Sequence, residues 1–216
     1  RERLESSIRD AEARALRAQM DPHFLFNALN SVRALIDYDP DGARDMLTRY
    51  TEVLHYALTT GRAASVALGD ELRAVESYLD LERRRYEDRM TVHIDVPVAH
   101  QGVRIPPLLL QTLAENAVRH GIARMRSGGS VAIATEQRES SLILSVMNPA
   151  PMSLDDEKSR ELGIGLSNSR ERLTMLYGTA AALHVDRQAD DLRTMERWTV
   201  RVTLPLTLPQ RSAAVE

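Results

Sequence analysis

The sequence predicts an α+β fold, in which a helical N-terminal part precedes an α/β sandwich. Up to about Arg89 the apolar residues recur at helical spacing, whereas from Met90 onward short segments alternate apolar and polar residues as strands do. Two helices interrupt these segments, at Pro107 to His120 and at Gly165 to Leu176. The predicted strands are 91–96, 131–135, 142–146, 182–185 and 199–204.

The composition is that of an ordinary globular protein, with 216 residues, 43% hydrophobic and 27% charged. The 28 basic and 31 acidic residues give a net charge of -3, so there is no cationic field to attract nucleic acid. The absence of cysteine excludes disulfides and thiolate metal sites, and it fits a reducing compartment. No apolar run approaches the roughly 20 residues of a membrane helix. We therefore expect no direct nucleic-acid binding, and membrane attachment only through an upstream region.

The N-terminal part is predicted to form a helical hairpin. An apolar seam runs through residues 4–36 and crosses Pro22, which lacks an amide hydrogen and bends the helix just before His23. Turn-forming residues at 37–42 end this helix, and a second follows at Ala43 to Leu58. Because such a hairpin buries little surface alone, we expect a homodimer with a four-helix bundle.

A single imidazole stands out in the segment Asp21-Pro22-His23-Phe24-Leu25-Phe26-Asn27. His23 on an apolar helical surface is a candidate nucleophile, although a buried structural histidine explains it as well. Asn27 follows one turn later and is placed to fix the imidazole tautomer, with helix capping or interface bonding as the alternative.

The second polar motif is Glu115-Asn116-Ala117-Val118-Arg119-His120-Gly121. Helical spacing puts Asn116, Arg119 and His120 on one face, where they can address a metal triphosphate. An asparagine oxygen suits Mg²⁺, and the two basic residues suit phosphate oxygens. Glu115 is a candidate to hold a water molecule or to act as a base. The alternative is a helix with a plain polar face.

The third motif is the pair Gly163 and Gly165, which precedes a predicted helix and leaves amides accessible to phosphate. An ordinary loop-to-helix turn explains this pair equally well. The stretch Asn148 to Leu162 is predicted to be a flexible connector, and it is a candidate lid over a nucleotide. An acceptor histidine together with an ATP pocket indicates a histidine kinase.

Three segments, DPHFLFNALNSV, PPLLLQTLAENAVRHGI and GIGLSNSRERLTMLYG, occur in this order and together resemble the LytS and AlgZ type of sensor histidine kinases. The segment LGDELRAVESYLDLERRRYEDR is also similar to the linker of that family. The resemblance implies a Bergerat-type (GHKL) ATP-binding sandwich, shared with Hsp90 and MutL ATPases. The implied limits are a dimerisation and phosphoacceptor region at 1–62, a helical linker at 63–90, an ATP-binding domain at 91–208 and a tail at 209–216.

The resemblance also implies roles for individual residues. His23 matches the autophosphorylated histidine, and Asn116 matches the asparagine that binds Mg²⁺ beside ATP. The phosphoryl group would then pass to an aspartate in the receiver domain of a response regulator, commonly one with a DNA-binding output domain. The chain would be the cytoplasmic portion of a bacterial inner-membrane protein. The implied nucleotide-binding residues are Asn116, Arg119, His120, Asn148, Gly163, Gly165, Leu166 and Arg172.

Three departures from the family pattern bear on activity. Asp21 stands where the family usually has asparagine, and its negative charge near an incoming triphosphate is expected to oppose transfer modestly. Phe24 follows the histidine where many other histidine kinases have an acidic base, which leaves Asn27 or Glu115 to orient or deprotonate His23. Asn148-Pro149-Ala150-Pro151 replaces an Asp-x-Gly-x-Gly adenine loop, so we expect weaker ATP binding that Asn148→Asp tightens.

Other functions remain open from the sequence. A degenerate kinase that acts as a nucleotide-binding signalling scaffold or as a phosphatase is the main alternative, because both glycines of the adenine loop are missing. A plain ATPase leaves His23 and the hairpin unexplained. A DNA-binding helical protein conflicts with the charge balance.

Overall fold

A computed structural model of the chain describes residues 32–33, 36–37, 39–60, 63–151, 164–189 and 195–206. The chain divides into two compact units, Arg1–Gly61 and Arg62–Glu216. The predicted tail at 209–216 lies outside the described residues, as does the predicted first helix apart from positions 32, 33 and 36.

The first unit contributes helix α1 (Pro40–Thr60). It begins three residues before the predicted start because Asp39 caps it: the Gly42 amide donates to Asp39 Oδ1 at 2.9 Å. Pro40 occupies the first helical position, where its missing amide hydrogen costs nothing. Residues that were predicted to form the turn of the helical hairpin are therefore the first residues of its second helix.

The second unit contains three α-helices and seven strands among its described residues. A π-helical turn, Ala117–Gly121, follows the second of these helices. The helices are α2 (Leu68–Tyr86), α3 (Leu109–Asn116) and α4 (Ile164–Tyr177). The strands are β1 (Val66–Ala67), β2 (Met90–Asp95), β3 (Arg104–Ile105), β4 (Gly129–Arg138), β5 (Ser141–Pro151), β6 (Ala182–Ala189) and β7 (Met195–Pro205).

Five of the strands form one mixed sheet in the order β2-β4-β5-β7-β6. Strands β2 and β4 are parallel, and the other neighbours are antiparallel. The short strands β1 and β3 pair with each other, apart from the large sheet. They were not predicted, because a strand of two residues is too short to show an alternating pattern. The mixed sheet with helices confirms the predicted α/β sandwich.

The helices cover one face of the sheet. Along β5 the residues are alternately buried and partly exposed from Ser141 to Pro151, so only every second side chain enters the core. Val131, Ile133 and Val202 extend this buried face onto β4 and β7. Helix α2, predicted as a linker, lies in the second unit and packs against α3 and β2. Helix α3, which carries Asn116, thus packs against α2 and α4, and the turn that follows it packs against β4 and β5.

Two of the predicted boundaries that differ from the structure lie next to predicted site residues. Strand β5 continues through Pro151, whereas the connector was predicted to begin at Asn148. Pairing of β5 with β4 ends at Met147, so Pro149 and Pro151 lie where β5 pairs with β7 alone. The edge of β5 away from β7 needs no amide hydrogen there, and prolines are tolerated. The helix predicted at Pro107 to His120 is α-helical only over Leu109–Asn116.

None of the described helices is long and apolar enough to cross a membrane.

Candidate functional site

Asn116 is the last residue of α3, and its side chain is half-buried. Thr112 lies one turn earlier on the same face, and the first turn of α4 approaches both. A Cβ atom on Gly165 would lie 3.1 Å from Thr112 Cγ2 and 3.9 Å from Asn116 Nδ2. The structure therefore brings two predicted site residues together, and the glycine permits the close approach.

Asn148 lies beside the turn that follows α3. Its side chain is 5% exposed, and its Nδ2 donates to the Pro149 carbonyl at 3.0 Å. A Cβ atom on Gly121 would lie 2.4 Å from Asn148 Nδ2 and 2.6 Å from the Pro149 oxygen. The turn packs directly on the end of β5 because Gly121 has no side chain.

The π-helical turn Ala117–Gly121 alters the geometry that the sequence predicted. Asn116, Arg119 and His120 share a face in a regular α-helix, but a π-turn is wider and changes their angular spacing. Arg119 is exposed and His120 is half-buried. Such turns are frequent at functional sites, and this one follows the predicted metal-binding residue directly.

The pKa of His120 lies below its ordinary value. Burial is the largest cause, because it penalises the charged imidazolium, and the positive charges of Arg124 and Arg119 lower the pKa further. His120 is therefore neutral at pH 7, so it can both donate and accept hydrogen bonds.

Glu115 is oriented by a neighbour on α3. Gln111 Nε2 donates to Glu115 Oε1 at 2.8 Å, across one helical turn. Gln111 is 6% exposed. Among the buried side-chain oxygen and nitrogen atoms of the described residues, its Oε1 is the one without a hydrogen-bond partner. The carboxylate of Glu115 is thus positioned by a buried amide.

Helix α4 is held by two arginines. Arg172 Nη1 donates to the Pro107 carbonyl at 3.0 Å, and Arg170 Nη2 donates to the Leu183 carbonyl at 3.1 Å. The first contact fastens α4 to the segment that precedes α3. Arg172 was predicted to bind nucleotide, and the structure gives it this backbone partner; Leu166 is half-buried in the first turn of α4.

The remaining predicted site residues, His23, Asn27 and Gly163, lie outside the described residues.

The structure also contains a cleft of about 570 Å³ in the second unit. Its lining includes Asn148 but no other described residue of the predicted site. The cleft is lined by residues that alternate along their strands with core-facing residues, namely Ser130, Met147 and Arg197. It therefore lies mainly on the face of the sheet away from the helices. It is therefore separate from the surroundings of Asn116.

The sequence reasoning missed Glu71, which is fully buried in α2. Its carboxylate accepts hydrogen bonds from the backbone amides of Leu108, Leu110 and Gln111 at the start of α3. A signal was present, because Glu71 lies three residues after Leu68 and four before Val75, on the apolar stripe of α2. A carboxylate on a buried stripe needs polar partners, so this position predicts that Glu71 binds groups elsewhere in the fold.

The chain is similar to known histidine kinases. Residues 11–90 match the family model described as histidine kinase. The sensor protein LytS of Staphylococcus haemolyticus is 36% identical over 190 residues, which cover 83% of this chain and 32% of the relative. LytS of Staphylococcus saprophyticus is 35% identical over 193 residues, covering 84% of this chain and 33% of the relative. The chain spans about a third of the length of these relatives.

Two solved structures share the fold. The catalytic domain of the histidine kinase ThkA matches with a TM-score of 0.50 and 17% identity over 66% of this chain and 95% of that one. The histidine kinase domain of the blue-light-activated kinase of Erythrobacter litoralis matches with a TM-score of 0.50 and 15% identity over 94% of each chain. On these sequence matches the chain belongs to the histidine kinases and is similar to the sensor proteins of the LytS type.

Proposed function

We propose that this chain is the kinase core of a two-component sensor, which uses ATP to phosphorylate its own His23 and passes the phosphoryl group to an aspartate of a response regulator. In this proposal residues 1–62 form the dimerisation and phosphoacceptor region, and 91–208 form the ATP-binding domain. The segment 63–90 joins them, and 209–216 is a tail.

One observation carries the nucleotide site: Asn116, at the end of α3, lies against the first turn of α4 near Gly165. A hard amide oxygen next to a helix N-terminus suits Mg²⁺ bound to a triphosphate. Asn116 would hold the metal, while Arg119, His120 and the amides around Gly163 and Gly165 would bind phosphate oxygens. Leu166 and Arg172 would complete the pocket wall.

The residues present fit an adenine nucleotide. Asn148 directs its Nδ2 to the Pro149 carbonyl, so its Oδ1 is the atom left to accept from the adenine amino group. Asn148 is uncharged, and we expect it to bind adenine more weakly than aspartate would.

The chemistry that ATP supplies when bound is an activated γ-phosphoryl group. His23 would act as a neutral nucleophile, so its attacking nitrogen must carry no proton. Asn27 would fix the imidazole tautomer, or Glu115, which Gln111 orients, would accept the proton of the other ring nitrogen, while the bond from the γ-phosphorus to the leaving ADP would break as the bond to His23 forms. Arg119 and the loop amides would stabilise the charge that develops on the phosphoryl oxygens.

The proposed partners are a second copy of the chain and the receiver domain of a response regulator. The helical pattern of residues 4–58 supports the homodimer, and the family resemblance supports the receiver domain. Attachment of the protein to an inner membrane by sequence upstream of this chain stays a prediction from the resemblance.

A second candidate function is dephosphorylation of the response regulator with little kinase activity. The proline-containing end of β5 in place of an Asp-x-Gly-x-Gly loop favours it. A LytS of Staphylococcus aureus that is 28% identical to this chain is named a sensor histidine kinase/phosphatase.

A fluorescent ATP analogue, titrated with and without Mg²⁺, tests the nucleotide site. The wild-type chain should bind it in a Mg²⁺-dependent way, and Asn116→Ala should lose about tenfold in affinity and most of the Mg²⁺ dependence. Gln137→Ala, which also removes a side-chain amide but at an exposed position on β4, is the control. Equal affinities for Asn116→Ala and the control would contradict the assignment.

A further inference from the structure

The start of α3 lacks a capping side chain of its own. Leu108, the residue at the N-cap position, has φ 61° and ψ 16°, a left-handed conformation that is strained for a leucine. Its apolar side chain offers no acceptor to the first amides of the helix. The amides at this end therefore need an acceptor from elsewhere.

Glu71 of α2 supplies that acceptor. Its Oε1 accepts from the Leu108 amide at 2.5 Å, and its Oε2 accepts from the amides of Leu110 at 3.0 Å and Gln111 at 3.4 Å. The residue is fully buried, so no water competes for these bonds. Its charge also lies at the positive end of the helix dipole. One carboxylate thus fixes both the strained residue and the first turn of α3.

Two further contacts join α2 to this segment. The Leu68 amide donates to Val103 O at 2.9 Å, and the Gly69 amide donates to Gln101 O at 2.8 Å. The start of α2 and the approach to α3 therefore form one connected piece of structure, with Glu71 at its centre.

We propose that Glu71 is a positioning residue for the nucleotide site, through which α2 determines where Asn116 lies. Helix α3 is eight residues long, from Leu109 to Asn116, or about 12 Å. A shift at its first turn is therefore transmitted to its last residue without an intervening hinge. The same helix carries Gln111, whose amide is bound by Glu71 and whose side chain orients Glu115.

The inference deepens the proposed function and rests on it for the identity of the ligand. Glu71 touches no nucleotide in this account and acts only through the position of α3. Helix α2 begins six residues after Arg62, where the second unit starts. A change in α2 thus has a direct route to the metal-binding end of α3.

The test is Glu71→Gln, which keeps the shape of the side chain but removes its charge and one acceptor oxygen. Two matched variants on the same helix serve as controls: Glu76→Gln is exposed, and Glu82→Gln is buried but contacts Arg85 rather than α3. All three are measured by hydrogen exchange of peptides and by titration with the ATP analogue and Mg²⁺.

Glu71→Gln should speed exchange about tenfold at the amides of 108–111 and weaken analogue binding about tenfold, with strands β4 and β5 still protected. Neither control should change exchange at 108–111 or the affinity. In the wild-type chain the bound analogue should slow exchange at 108–111, as reciprocal coupling requires.

Unchanged exchange at 108–111 in Glu71→Gln would overturn the proposal, as would a uniform loss of protection throughout the second unit. Faster exchange there with unchanged analogue affinity would also overturn it. A wild-type chain that fails to bind the analogue would refute the proposed function instead, and the exchange of 108–121 in the variants would then decide whether Glu71 positions α3.

Discussion

The two ends of α3 differ in what holds them. The N-terminal end is fixed by other parts of the chain, because Glu71 binds its amides and Arg172 binds the carbonyl of Pro107 just before it. The C-terminal end continues into a π-helical turn with exposed Arg119 and half-buried Asn116 and His120. The first end is held by internal hydrogen bonds, and the second carries the polar groups that the proposed function assigns to nucleotide binding.

This difference indicates how a short helix can serve a binding site. The protein uses the buried end of α3 to fix its direction, and the interactions there are internal and charge-assisted. Variants at the N-terminal end should change stability and binding together, whereas most variants at the C-terminal end should change binding alone.

The largest effect is expected where the C-terminal end itself packs against the sheet. Gly121→Ala would place a Cβ atom 2.6 Å from the Pro149 carbonyl, so the backbone must shift. We expect a loss of about 1–3 kcal/mol in the free energy of unfolding, measured by urea denaturation, together with loss of ATP-analogue binding. Gly102→Ala is the control, because no atom lies within 4 Å of its Cβ position. Equal stability of the two variants would contradict the close contact.

Arg119→Ala, in the turn at the C-terminal end of α3, should weaken nucleotide binding without changing stability, unlike a variant at the N-terminal end. Loss of a charge-assisted bond to phosphate should weaken binding of the ATP analogue about tenfold. The thermal midpoint should not change measurably, since Arg119 is exposed. Arg126→Ala removes another exposed guanidinium from the second unit and should leave affinity unchanged. A large fall in the melting temperature of Arg119→Ala would show that this end is structural too.

Asn148→Asp should change stability and affinity in opposite directions. A carboxylate oxygen would replace the Nδ2 donor that lies 3.0 Å from the Pro149 carbonyl, and this buried, unsatisfied group should cost about 1–3 kcal/mol of stability. The added charge should tighten binding through the adenine amino group by severalfold. Calorimetric titration and urea denaturation measure the two effects. Unchanged or weaker binding would remove Asn148 from the adenine site.

The smallest effect concerns the pH dependence of stability. Because burial and two arginines lower the pKa of His120, the unfolded chain takes up a proton near the ordinary value of 6.5, before the folded chain does. Stability therefore falls as the pH drops below 6.5, and this loss ends below the pKa of the folded state. His120→Asn should show a shallower decline between pH 7 and pH 5. Identical slopes would contradict the lowered pKa.

Much of the fold followed from periodicity alone. All five strands of the large sheet were predicted, although β4, β5, β6 and β7 extend further than the alternation suggested. Alternation weakens toward strand ends, where polar residues and prolines are tolerated, so the end of β5 was assigned to a connector. The start of α1 was missed because aspartate and proline favour both turns and helix starts.

The site was predicted in part. Asn116 and Gly165 were chosen by residue type, and the structure brings their helices together. The apolar stripe of α2 indicated that Glu71 is buried, but local sequence could not identify its partners, because they lie 37 to 40 residues further along the chain. The π-turn after Asn116 also depends on tertiary packing, since Gly121 must fit against Asn148.

Transfer of phosphate from ATP to His23 tests the central claim most directly. The chain and its His23→Gln variant would be incubated with γ-labelled ATP and Mg²⁺, after which the labelled protein is treated with acid and with alkali. We expect the wild-type chain to carry label that is stable to alkali and labile to acid. His23→Gln should carry no label, although it should still bind the ATP analogue. Label that persists in His23→Gln, or a wild-type chain that binds Mg²⁺-nucleotide without becoming labelled, would contradict that claim.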